Sequence, residues 1–353
     1  MGGLSCCACG CKGNSESGWS DGCVETAAGP VARVKTHWTW RDRMGAWAVC
    51  WGIGRMRYTV PPGLYAVGAP TPDSPVLVTA NYKLSFDHVR LVLAGFDAWL
   101  LVLDTKGINV WCAAGKGTFG TAELAERVAS SEVAKVVGHR TLVLPQLGAP
   151  GVAAHEVSRR TGFHVIYGPV YARDLPAFLL ADMRATPEMR RVGFTLRERL
   201  AVTPIELVHR VIPVLITLAL FLASSGLGPH GYRLDLGQWP WIALAVGANA
   251  FAGIVLTPAL LPYLPGRSFA VKGAWVGAVL GAALAWLWPF GWLAGVSAGL
   301  LSVSACSFLG LMFTGCTPYT SASGVRSEMS WALPAQGVLA LVGLSGWIAA
   351  RFV

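Results

Sequence analysis

The run Asn109-Val110-Trp111-Cys112-Ala113-Ala114-Gly115-Lys116 holds the residues best suited to chemistry. It follows an apolar stretch, 99–103, and a polar turn, Asp104-Thr105-Lys106-Gly107. Asparagine caps helices by accepting a backbone N–H bond. Gly115 is placed to close a short helix in the left-handed conformation that other residues avoid. Cys112 then falls in the first turn, near the positive end of the helix dipole, which favours the thiolate. Such a thiolate binds a soft metal or attacks an electrophile.

Other candidates carry less. Cys6, Cys7, Cys9 and Cys11 crowd the N-terminus without the paired spacing of a zinc finger. They suit either soft-metal chelation or a reduced tail. Cys306 and Cys316 fall in or just after an apolar run and read as small membrane residues. His139 and His155 have no second ligand at helical spacing, so each reads as a polar contact. The segment 114–118 has Gly117 where a phosphate loop needs Ser or Thr, which excludes nucleotide hydrolysis.

From residue 75 onward, short apolar runs at 76–79, 99–103, 141–144 and 164–167 alternate with helical patterns at 85–93, 121–137 and 152–160. This predicts a parallel sheet joined by right-handed crossovers. Ligands in such sheets bind beyond the carboxyl ends of the strands. Asn81-Tyr82, 105–116, 145–148 and Gly168-Pro169 each follow a strand and should meet on that edge. Ahead of them, 1–30 reads as a Gly/Ser/Cys-rich tail. Residues 31–75, with Trp38, Trp40, Trp47 and Trp51, read as irregular structure and short strands.

Composition divides the chain. It is 54% hydrophobic with a mean hydropathy of +0.51, too apolar for an ordinary soluble protein of 353 residues. Of 28 basic and 19 acidic residues, only nine lie beyond residue 205. Five apolar spans follow, near 211–227, 239–261, 271–288, 291–313 and 331–350, each close to the ~20 residues that cross a bilayer. Trp239, Trp241, Trp286, Trp288, Trp292, Trp331 and Trp347 lie near span ends, as an aromatic belt would. Arg210, Arg267, Lys272 and Arg326 bias one side, placing the preceding domain in the cytoplasm of a multi-pass inner-membrane protein. No span has a central charge, which weighs against an ion pump. The net charge of +9 suits an anionic leaflet. We find no basic patch interleaved with aromatics, so nucleic acid is not expected as a partner. An odd number of cysteines, nine, and no secretory signal favour thiol or metal chemistry over a disulfide frame. The expected organisation is a Cys/Trp-rich region at 1–60, an α/β domain at 61–183, an amphipathic connector at 184–205 and a transmembrane domain at 206–353.

The run 109–116, continuing through Gly117-Thr118-Phe119-Gly120, resembles the signature of the HgcA family, the membrane corrinoid proteins of the mercury-methylating pair. The resemblance extends to 80–83, Gly138-His139-Arg140, 144–151 and 167–170. It also covers the layout of a soluble domain followed by about five spans. That domain is related to the corrinoid-binding domain of the corrinoid iron–sulfur protein. The resemblance implies a Rossmann-like corrinoid-binding α/β domain followed by an all-α transmembrane domain. It implies that Cys112 is the lower axial thiolate of corrinoid cobalt, the nucleotide base being displaced. It places Asn109, Val110, Trp111, Ala113, Ala114, Gly115, Lys116, Gly117 and Thr118 around the cofactor, with Asn81, Tyr82, Thr105, Gly138, His139, Gln146, Gly168 and Pro169. Small Ala113 and Ala114 would let the flat macrocycle approach the helix. The activity implied is methyl transfer from methylcob(III)alamin to Hg(II), with a ferredoxin-like iron–sulfur protein as electron donor and a folate-type methyl donor acting through another methyltransferase. Cys6, Cys7, Cys9 and Cys11 could then collect Hg(II). Two alternatives stand beside this: a corrinoid methyl carrier for another acceptor, and a membrane sensor or transporter with a Rossmann-like ligand domain.

Overall fold

The computed structural model describes residues 18–317 and 320–353. The cysteine quartet at 6–11 lies outside them. The chain divides into two compact units, 1–192 and 193–353.

In the first unit a hairpin of β1 (Ser20–Thr26) and β2 (Gly29–Val34) precedes α1 (Trp40–Cys50) and β3 (Gly63–Val67). Next come β4 (Val76–Ala80), α2 (Lys83–Val92), β5 (Ala98–Leu103) and three helices, α3 (Val110–Lys116), α4 (Thr121–Ser130) and α5 (Val133–Val136). The unit closes with β6 (Thr141–Leu144), α6 (Ala154–Thr161), β7 (His164–Tyr167) and α7 (Leu175–Leu180). All seven strands form one sheet in the order β1-β2-β3-β5-β4-β6-β7. The stretch β5-β4-β6-β7 is parallel, as expected. The sheet as a whole is mixed, because β3 runs antiparallel to β5 and β1 antiparallel to β2. The hairpin begins within the stretch read from the sequence as a tail, β3 is one of the short strands expected at 31–75, and α1 is a helix that was not expected there. Cys23 on β1 is disulfide-bonded, against the thiol expectation, whereas Cys50, Cys112 and Cys306 are free.

Strand alternation sorts the core into two layers. Trp99, Leu101 and Leu103 of β5 pack with Leu124 and Val128 of α4 and Val157 of α6. Ala98, Leu100 and Val102 point the other way, to Phe86 of α2 and Phe178 of α7. Since β5 and β6 flank β4 on opposite sides and their connections cover opposite faces, the order reverses between β4 and β6. A crevice at the carboxyl ends follows from that reversal.

One polar cluster is buried beneath α1. Lys83 bonds Asp42 at 2.5 Å and Asp87 at 2.7 Å, while Arg90 bonds Asp42 at 2.7 Å and Asp87 at 2.8 Å. Two cations and two anions balance, as buried charges must. Burial pushes the Asp42 carboxyl up, but bonds from Lys83 and Thr39 outweigh it and bring it to about 2. The cluster joins α1 to α2.

The second unit is helical: α8 (Leu196–Leu200), α9 (Thr203–Ser224), α10 (Trp239–Phe251), α11 (Thr257–Leu260), α12 (Phe269–Leu287), α13 (Trp292–Phe313) and α14 (Ala322–Ala349). Among the described residues, five stretches are long and apolar enough to cross a membrane: 196–224, 236–260, 269–287, 292–313 and 323–349. A π-helical turn, Ala252–Leu256, follows α10. Helices α12 and α13 meet through small residues. A Cβ added at Gly277 would lie 2.5 Å from the Ser302 carbonyl oxygen, and one at Gly281 2.6 Å from that of Gly299. Such close backbone approach is how helices associate where lipid removes the hydrophobic drive. Polar side chains there are bonded: Asn249 donates to Ser302 at 3.0 Å and Gln336 to Ser307 at 2.8 Å.

Candidate functional site at the carboxyl edge of the sheet

Strand β5 ends at Leu103, and the chain reverses through Asp104-Thr105-Lys106-Gly107. Lys106 (φ 58°) and Gly107 (φ 72°) both take left-handed backbone. For lysine that is uncommon and needs support from its surroundings. Asn81, just past β4, supplies it. Its Oδ1 accepts from Thr105 N–H (3.1 Å), the Thr105 hydroxyl (2.9 Å) and Gly107 N–H (3.0 Å), and its Nδ2 donates to Asp104 at 3.1 Å. Asp104 accepts from Lys106 N–H at 3.1 Å and pairs with the Lys106 ammonium. Burial raises the Asp104 carboxyl, yet the Lys106 bonds hold it below its ordinary range. Glu123 of α4, itself held by Arg127 at 2.9 Å, accepts the Asp104 N–H at 2.8 Å. Glu123 was not singled out in the sequence, where it reads as one more charge on a helix surface.

This braced turn launches α3. The Asn109 side chain accepts the Cys112 N–H at 2.9 Å, so the cap is as expected. The helix does not end at Gly115. It runs on to Lys116, and Gly117 (φ 80°) is the left-handed residue that stops it, giving its N–H to Ala113 and Ala114 carbonyls. Thr118 N–H also bonds the Ala113 carbonyl, at 3.0 Å.

The two faces of α3 differ. Ala113 and Ala114 are buried in the core. A Cβ on Gly151 would come within 3.0 Å of the Ala114 Cα. Their smallness lets the helix sit close on the domain, not a ligand on the helix, which corrects the role given to them above. The outer face carries half-buried Trp111 and Cys112 with exposed Gly115 and Lys116. Residues three and four apart share a helix face, so Gly115 and Lys116 lie beside Cys112. Nothing lies within 4 Å of the Cβ position at Gly115, which leaves the space beside the thiol clear.

A cavity of about 420 Å³ opens at the crevice between β4 and β6. Thr79, Ser85, His88, Val110, Leu147 and Pro169 are among its lining residues, so it reaches the first residue of α3. Gln146 follows β6, and its Oε1 accepts from Arg190 at 2.6 Å. Gly168 follows β7 and donates its N–H to the Leu144 carbonyl at 2.8 Å. Tyr82 is buried under Arg55, whose guanidinium lies 5.6 Å from the ring centre. The buried Tyr82 hydroxyl has no hydrogen-bond partner among the described residues.

Thus Asn81, Tyr82, Thr105, 109–118, Gln146, Gly168 and Pro169 all lie at the carboxyl edge. Gly138 and His139 do not. They precede β6, at the amino edge, where Gly138 N–H bonds the Pro72 carbonyl at 2.9 Å and His139 Nε2 donates to the Ser74 carbonyl at 2.9 Å. No group of three or more His, Cys, Asp and Glu that could hold a metal ion occurs among the described residues.

Comparison with known proteins bears on this same part of the chain. Residues 54–179, from just before β3 into α7, match the family model described as the CO dehydrogenase/acetyl-CoA synthase delta subunit. A stretch of 122 residues is 38% identical to the acetyl-CoA decarbonylase/synthase complex subunit gamma of Methanopyrus kandleri, covering 34% of this chain and 26% of that protein. The subunit gamma of Archaeoglobus fulgidus is 36% identical over 113 residues, 31% of this chain and 24% of that one. That of Methanosarcina acetivorans is 33% identical over 129 residues, 35% and 27% of the two chains. The chain therefore spans about a quarter of the length of these curated relatives.

Proposed function

We propose that this chain is a membrane-anchored corrinoid protein of the HgcA type, transferring a methyl group from the corrinoid to Hg(II) to form methylmercury. The observation that carries the reading is the half-buried Cys112 thiol on the outer face of a short helix, with clear space beside it at Gly115. The family match over 54–179 and the five apolar helices support it.

The residues present fit such a group. Cys112 would ligate cobalt, and Trp111, Gly115 and Lys116, on the same face of α3, would lie against the group. The cavity by Val110 falls in the size range of ligand sites and would take part of the same group. The partnerless Tyr82 hydroxyl is a buried polar atom at the same edge. Bound there, the corrinoid supplies a transferable methyl group, and a soft thiolate ligand donates electron density to the metal. The protein's own part is positional. Asn81 holds the turn, Asn109 and Gly117 fix both ends of α3, and the thiol faces outward at a set depth.

Completing the reading are a folate-type methyl donor acting through another methyltransferase, a ferredoxin-like iron–sulfur protein as reductant, and the cytoplasmic membrane as location. The N-terminal cysteines 6, 7, 9 and 11 would gather Hg(II). A second reading, a corrinoid methyl carrier in one-carbon metabolism, is favoured by the names of the relatives. The full chain in detergent, titrated with cobalamin and then given Hg(II), a methyl source and reductant, separates the two. We expect an absorbance shift that is lost in Cys112→Ala, and methylmercury from the wild type only. Corrinoid binding without methylmercury would favour the one-carbon carrier, and no binding at all would remove both readings.

A further inference from the structure

Most of the exposed large apolar side chains of the first unit lie in one stretch. Among its described residues, six are exposed: Trp40 (74%), Met44, Trp47 (57%), Ile53, Met56 and Leu180. Five of the six lie within residues 40–56. Trp40, Met44, Trp47 and Trp51 follow one another at helical spacing, so they line one face of α1 and its continuation. The opposite face carries buried Asp42 and Val49. The helix is fixed from beneath by the ion-pair cluster, with Gly45 close against Tyr58, where an added Cβ would lie 2.6 Å from the ring. Its apolar face therefore cannot turn inward.

The charge around this face has one sign. Arg41, Arg43 and Arg57 are exposed. The one acidic residue between 35 and 60 is Asp42, buried and already bonded to Lys83 and Arg90. No basic patch interleaved with aromatics was expected from the sequence. Residues 40–57 form one, with Trp40, Trp47 and Trp51 among Arg41, Arg43, Arg55 and Arg57.

We propose that this face of α1 docks on an anionic lipid surface. Tryptophan with flanking arginine is the composition of helices that lie in the interface, apolar side down and cations at the headgroups. Anionic lipid complements the arginines, and it is at hand because the same chain carries five helices able to cross a bilayer. Single-stranded nucleic acid is the weaker occupant, since the aliphatic Met44, Ile53 and Met56 offer no ring for bases to stack on. The docking does not depend on any cofactor.

Hydroxyl-radical footprinting of the full chain in nanodiscs tests this on the native side chains. Trp40, Met44, Trp47 and Met56 should be oxidised about fivefold more slowly in phosphatidylglycerol discs than in phosphatidylcholine discs, the effect of roughly one arginine–lipid contact or more. The triple variant Arg41→Gln, Arg43→Gln, Arg57→Gln should erase the difference. These side chains are exposed, so the fold should tolerate their loss, and an unchanged pattern elsewhere in the unit checks that it does. Equal oxidation of the wild type in the two discs overturns the proposal. So does equal protection in lipid-free detergent, which would mean that the chain covers this face itself, and so does protection by added single-stranded RNA in phosphatidylcholine discs to the same degree.

Discussion

The two edges of the parallel strands are both laced with hydrogen bonds, yet they do different things. At the carboxyl edge Asn81 spends its whole amide on the turn after β5, and the result is an outward-facing thiol one helical turn further on. At the amino edge both ring nitrogens of His139 are taken, Nε2 by the Ser74 carbonyl and Nδ1 by the Thr141 N–H, and they tie together the entries to β4 and β6. One network leads to a free thiol; the other closes on itself. Residues from both edges resemble the same family, so resemblance alone does not say which of them face a ligand. Strand direction sets the two groups at opposite edges.

The sharpest way to break the comparison is at Cys112. Cys112→Ala should abolish corrinoid-dependent methyl transfer and the spectral change on cobalamin binding. The side chain is half-buried and bonded only through its backbone, so stability should change by less than about 1 kcal/mol. A Cys112→Ala protein that methylates at the native rate would show that the outward thiol is not what this edge is built to present.

Asn81→Ala should have the next largest effect, and by another route. It leaves the Gly107 N–H without its acceptor in a buried turn, while the Thr105 N–H and hydroxyl lose one acceptor each and keep the Leu103 and Ile108 carbonyls. The loss should cost about 2 kcal/mol, read by pulse proteolysis of the full chain, with cobalamin uptake weakened as α3 loses its footing. Asn81→Asp keeps the acceptor and should recover part of the uptake, though it sets a second carboxylate beside Asp104. An Asn81→Ala chain as stable as the wild type would mean that the left-handed turn stands without its brace.

Asn109→Ala removes one cap bond and should cost about 1 kcal/mol. Hydrogen exchange at the Cys112 amide is the direct measure, expected to quicken about fivefold while the core strands stay protected. No change there would mean that the core contacts of Ala113 and Ala114 alone hold the helix start.

How much of this was legible in the sequence depends on what each element buries. Strands β4 to β7 are short runs of aliphatic residues buried against helices, and their limits lie within a residue of those read from the chain. Strand β1 holds a single aliphatic residue, Val24, and lies at the sheet edge, so its pattern gives no signal. Strand β3 is framed by Pro61-Pro62 and Gly68, which look like loop residues although Tyr65, Ala66 and Val67 are fully packed. Helices α4 and α5 read as one, because the left-handed Glu132 (φ 49°) interrupts an unbroken apolar rhythm. The cap at Asn109 was plain from residue type. The choice of Gly117 over Gly115 was not, since both glycines suit a helix end and only the contacts of Thr118 and Phe119 with the Ala113 carbonyl decide between them.

His139→Ala should have the smallest effect on the site, and it tests the comparison from its other side. The histidine lies at the far ends of the strands from α3, and its two bonds join backbone to backbone. Removing it should cost about 1 kcal/mol, the net worth of such bonds, and weaken the pairing of β6 where Thr141 begins the strand. Cobalamin affinity and methyl transfer should stay within about twofold of the wild type, since 1 kcal/mol of global stability leaves a folded site unchanged. Gly138→Ala is the companion, because open space surrounds its Cβ position to 3.8 Å and its φ is ordinary. If either variant lowered cobalamin uptake as far as Asn81→Ala does, the amino edge would have to contribute to the site through the strands themselves, and the division of labour between the two edges would fail.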